Sequence, residues 1–78
     1  MKRTEFVNEV LLEGFLVDVG RRNITVKDRS GWELFKVSEL TRYGLDSFFQ
    51  SFGELDVDKQ EMLFYLGAHY AATPINER

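Results

Sequence analysis

The chain has 78 residues, of which 44% are hydrophobic, 14% aromatic and 29% charged, with one Pro, one His, no Cys and a formal net charge of −3. That length allows one domain, and folding it buries somewhat over ~60% of the surface the unfolded chain exposes; the composition is globular rather than disordered. The lack of Cys excludes a disulfide framework, thiolate metal sites and a thiol nucleophile, and the longest apolar stretch, Met62 to Leu66, is far too short to span a bilayer.

In chain order, Thr4 reads as an N-cap; Phe6, Val7, Val10 and Leu11 then recur at helical spacing and Gly14 supplies a stop, which predicts a short helix over 5–12. From Phe15 the period changes to two. Phe15, Val17 and Val19 share one face of a strand, Gly20-Arg21-Arg22-Asn23 forms a turn, and Ile24 and Val26 continue the buried face. Asp28-Arg29-Ser30-Gly31 suits a type I turn ending on a Gly with positive φ, the usual route to a bulged hairpin. A third strand covers 32–37, but its pattern breaks phase: Trp32 and Leu34 alternate on one side, Phe35 and Val37 on the other. Either a bulge intervenes or both faces are covered.

Residues 38–53 read as a partly helical connector, with Phe48, Phe49 and Phe52 on one turn of helix and Gly44, Ser47, Ser51 and Gly53 equally suited to loop. Asp56 caps the longest element, a helix over 57–72 with Asp58 in its first turn, where the helix dipole favours negative charge; Thr73-Pro74 ends it. The expected fold is a single α+β domain over 1–78: a three-stranded antiparallel β-meander covered by a short N-terminal helix and a longer C-terminal helix. Its expected core joins Phe15, Val17, Val19, Ile24, Val26, Leu63, Leu66 and Tyr70.

Catalysis needs a base, a nucleophile or a metal held in a pocket, and this sequence offers little of any. His69 reads as a boundary residue of the last helix without metal co-ligands. Asp56 and Asp58 read as helix capping, because no EF-hand Gly and Glu follow at the required positions. The glycines form no phosphate-binding loop and fall where turns are wanted. No enzyme activity, cofactor or metal is expected.

Two surfaces bear on function. On the last helix Met62, Leu63, Leu66 and Tyr70 form the natural cover for the sheet, while Phe64, Gly67, Ala68 and Ala71 form a second apolar strip beginning roughly 100° further round. That strip is either packed beneath the connector or the first helix, or it is a contact face for another chain, a protein partner or a second copy. The other surface is basic: Arg21, Arg22, Lys27 and Arg29, with Trp32 as a stacking platform, would be the elements of nucleic-acid binding. Against it, successive meander turns lie at opposite ends of a sheet, and residues 1–39 balance seven basic against seven acidic groups while 40–78 hold three against six.

Val37-Ser38-Glu39, Tyr43-Gly44-Leu45-Asp46, Phe52-Gly53-Glu54-Leu55, Lys59, Leu63-Phe64 and the closing Tyr70-Ala71-Ala72-Thr73-Pro74-Ile75-Asn76-Glu77-Arg78 resemble small uncharacterised proteins of phages and prophages of Gram-positive bacteria. Those proteins end in a helix followed by Tyr-Ala-x-Thr-Pro-Ile-x-x-Arg. The resemblance covers about residues 15–78, and Gly67-Ala68-His69 departs from the aliphatic and acidic stretch commoner there. It implies a phage or prophage accessory protein in the bacterial cytoplasm, and no particular reaction. The Thr73-Pro74-Ile75 ending further predicts Ile75 folded back on the core and Arg78 placed to meet a carboxylate. Taken together, the expectation is a non-enzymatic protein-binding or self-associating module, with nucleic-acid binding as the alternative.

Overall fold

A computed structural model describes residues 1–47 and 49–78; Phe48, counted above in the connector, lies outside the described residues. The first helix, α1 (Arg3–Leu12), begins before Thr4 rather than after it. The Lys2 backbone N–H donates to the Glu5 carboxylate at 3.2 Å, so the helix starts with Lys2 at the N-cap position and Glu5, rather than the Thr4 hydroxyl, supplies a side-chain acceptor at this end. Phe6 and Val10 form the buried face of α1, and Gly14, at φ +91°, donates to the Leu11 carbonyl and turns the chain toward the sheet.

Three antiparallel strands follow, β1 (Leu16–Val19), β2 (Asn23–Lys27) and β3 (Glu33–Ser38). Gly31 takes φ +91° and its N–H bonds the Asp28 carbonyl at 3.0 Å, as the bulged hairpin requires. The phase break in β3 is a second bulge. Val26 pairs with Phe35 and Lys27 with Glu33, leaving Leu34 as the extra residue, and both Leu34 and Phe35 turn into the core. Val19, expected inside, is half exposed because β1 is the sheet edge, and Phe15 and Val17 are only partly buried against the core.

The sheet has four strands, not three, in the order β1-β2-β3-β4. After β3 the Ser38 hydroxyl accepts the Leu40 and Thr41 N–H groups, Tyr43 adopts φ +68°, and the Ser38 N–H donates to the Gly44 carbonyl at 2.7 Å. This reversal lays β4 (Leu45–Asp46) against β3, pairing Val37 with Leu45. Gly44 is obligatory at the closure: a Cβ there would sit 2.7 Å from the Ser38 Cβ. Two residues are too few for a period, so no alternation announces β4.

One turn of helix, α2 (Gln50–Gly53), leads to α3 (Val57–Ala72), whose bounds match the expected ones; Asp56 stands at the N-cap position, but its side chain makes no capping hydrogen bond. The Gln60 side-chain amide donates to the Gly53 and Leu55 carbonyls at 3.1 and 2.7 Å and ties α2 to the first turns of α3. α1 and α3 cover one face of the sheet; the opposite face carries Asp18, Thr25 and Lys36 in register. The core is one cluster in which Phe6 stacks on Tyr70 at 4.7 Å and meets Phe35 edge-on, while Phe35 meets Phe52 at 6.0 Å. After Thr73-Pro74 a 3₁₀ turn (Ile75–Glu77) leaves Ile75 substantially exposed rather than folded on the core. Among the described residues no helix is long and apolar enough to cross a membrane.

Candidate functional site

The structure divides the four strip residues of α3. Gly67 and Ala71 face inward with Leu63, Leu66 and Tyr70, so they belong to the chain's own core. The cause lies outside the helix. The β3 bulge drives the Phe35 ring, and β4 brings Leu45, against α3 so closely that a Cβ on Gly67 would lie 2.8 Å from the Phe35 ring and 3.4 Å from Leu45. The buried arc of α3 is therefore wider than a helix on a three-stranded sheet needs, and it is filled by β4 and the bulge rather than by a second chain.

Phe64 and Ala68 remain on the outer side. Phe64 is 47% exposed, and the neighbouring Tyr65 is 66% exposed. With Ala68, Phe52 of α2 and the rims Gln60 and Glu61 they line a shallow, mostly apolar groove. Phe52 is held there by its edge contact with Phe35, and α2 is fastened by Gln60. Tyr65 is not singled out by the sequence, and Phe52 is read there only as part of the connector's helical turn. Tyr65 was legible as the neighbour of Phe64 on the helix arc left free, whereas Phe52 reaches the groove only through the α2 turn.

The basic residues do not converge. Arg21 and Arg22 are exposed in the β1–β2 turn, whereas Lys27 and Arg29 stand at the opposite end of β2, a strand length of ~15 Å away. Lys27 pairs with Asp18 at 3.5 Å, and the Arg29 guanidinium donates to the Gly14 carbonyl at 3.1 Å. Trp32 is 67% exposed, yet it borders a groove that also contains Asp28, Glu33 and Glu54, which repel a phosphate backbone.

The buried chemistry is structural. Glu39, at the end of β3, accepts the Tyr70 hydroxyl at 2.9 and 3.0 Å, pairs with Arg78 at 3.4 Å and with Arg3 at 3.1 Å. Arg78 thus meets a carboxylate, as its place in the ending predicts. It also donates to the Thr73, Ser38 and Ala71 carbonyls and lies 4.6 Å over the Tyr70 ring, with a side chain only 1% exposed. Burial first, and then the bond to Glu39, push the Tyr70 phenol above its ordinary value. This cluster ties α1, the sheet, α3 and the last residue together and opens onto no groove described above. His69 is exposed beside Tyr65, ring to ring at 6.0 Å. Among the described residues no group of three His, Asp or Glu side chains is arranged to hold a metal ion.

Compared with protein-family models, with curated proteins and with solved structures, the chain matches none.

Proposed function

We propose that this chain is a non-catalytic protein-docking module, a phage or prophage accessory protein of the bacterial cytoplasm, whose docking face is the outer side of α3. The observation that carries the reading is the solvent exposure of Phe64 and Tyr65 side by side, with Ala68 and Phe52 beside them, on the side of α3 turned away from the core residues Leu63, Leu66, Gly67, Tyr70 and Ala71. Large apolar side chains cost free energy in water, and an aromatic pair in a groove with a polar rim has the composition of an interface centre. The resemblance of the C-terminal half supports the phage setting. The nucleic-acid alternative has only the separated arginines and the acid-flanked Trp32 in its favour.

A photo-crosslinking side chain placed at Tyr65 tests this in cells. A covalent protein adduct is expected from position 65 and none from the exposed Asn8 of α1, and Phe64→Glu removes the adduct while the circular dichroism spectrum stays unchanged. No adduct at position 65, or equal adducts at both positions, would sink the reading.

A further inference from the structure

We infer that the occupant of the α3 face is a second copy of this chain, its α3 antiparallel to the first about a two-fold axis on the outer side of the helix, midway between the levels of Phe64 and Ala68. The inference rests on the docking reading above and names its partner. Three features lead to it. Phe64 and Ala68, one turn apart, lie within ~40° of each other on the helix wheel and ~6 Å apart along the axis. A large residue and a small one so placed are self-complementary: in an antiparallel pair each Phe64 seats over the partner's Ala68, and the same contact repeats by symmetry.

Charge is arranged the same way. Glu61 lies on this stripe ~7.5 Å before the axis, so the symmetric position ~7.5 Å beyond it falls at residues 71–72 of the facing helix. There the Arg42 guanidinium is fastened, donating to the Ala72 carbonyl at 2.6 Å and lying 4.7 Å over the Tyr43 ring. Glu61 and Arg42 are both exposed, and within one chain Glu61 lies in the N-terminal half of α3 whereas Arg42 is held at its C-terminal end. Antiparallel pairing brings each Glu61 to the partner's Arg42 twice over. Parallel pairing would set Glu61 against Glu61, and so the charges select the antiparallel arrangement.

The third feature is the length of the stripe. Val57, itself exposed, extends the apolar line toward the N-terminal end of α3, and because position 57 mirrors position 75 about this axis it falls opposite the exposed Ile75 in the turn that follows the facing helix. An interface confined to one helix and its flanks is at the small end of specific contacts, and the expected dissociation constant is roughly micromolar.

Sedimentation of the whole chain from about 1 μM to about 1 mM tests the inference. The unaltered chain passes from monomer to dimer in that range. Glu61→Arg and Arg42→Glu each weaken association by about tenfold or more, since the two-fold repeats every repulsion, and the double swap recovers most of it with circular dichroism unchanged. A double swap no better than either single change overturns the antiparallel register, and a chain monomeric throughout overturns the second copy. The mass of the adduct from position 65 separates this failure from that of the docking reading. An adduct with a different protein, with the chain itself monomeric, rejects self-pairing and leaves the docking face standing; no adduct rejects both.

Discussion

Replacing Glu39 by Ala removes the carboxylate on which the two ends of the chain converge, and its cost follows from what is left behind. Arg78 is almost completely buried, and the Tyr70 hydroxyl is buried with it. Without Glu39 the guanidinium keeps its three carbonyl acceptors but loses its counter-charge, and the phenol loses both carboxylate oxygens. Stripping one partner from a buried pair costs ~3–5 kcal/mol. A chain of 78 residues has a total stability of ~4–12 kcal/mol at ~0.05–0.15 kcal/mol per residue. Glu39→Ala thus removes a large fraction of it. At a slope of ~1 kcal/mol per molar urea the unfolding midpoint, read by far-ultraviolet circular dichroism, falls by ~3 M or vanishes. Arg3, half exposed, contributes under ~1 kcal/mol to the same cluster, so Arg3→Met is the contrasting mild variant. Adding Arg78→Met to Glu39→Ala costs less than the separate losses sum to, because the second change removes the charge the first left uncompensated. A Glu39→Ala loss below ~1 kcal/mol, or strict additivity of the pair, would show that the cluster does not hold the fold as described.

Gly67→Ala sets two effects of opposite sign against each other. Helix propensity alone stabilises the variant by ~1 kcal/mol, but the new methyl meets Phe35, which Phe6 and Phe52 keep from retreating, and such overpacking costs ~1–3 kcal/mol. The melting temperature is expected to fall by several degrees; a rise would mean that the ring yields freely. Tyr70 predicts the alkaline limit of stability. Its phenol is raised in the folded chain, so between the unfolded and folded values the native state binds the extra proton; the contribution of Tyr70 to stability is fully present below pH ~10 and declines as the pH rises beyond it. Urea midpoints at successive pH values check this, and Tyr70→Phe, though less stable at neutral pH, lacks that share of the decline.

What the sequence determined by itself was whatever neighbours along the chain decide. The C-terminal end of α3 follows from Thr73-Pro74, and the hairpin at Asp28–Gly31 follows from a glycine free to take positive φ. The faces of β1 and β2 follow from strict alternation, which a one-residue slip would invert. Tertiary structure decided the rest. β4 exists because Ser38, Tyr43 and Gly44 reverse the chain onto β3, a two-residue pairing with no period of its own. β4 and the Leu34 bulge then supply the atoms that cover Gly67, which is why the inner arc of α3 is wider than its hydrophobic pattern implied, and why of the four strip residues Phe64 and Ala68 alone reach the outer face. Glu39 was a glutamate like any other until folding placed Arg3, Tyr70 and Arg78 around it. A carboxylate's worth depends on what desolvates and pairs it, and here those groups lie 31 to 39 residues away along the chain.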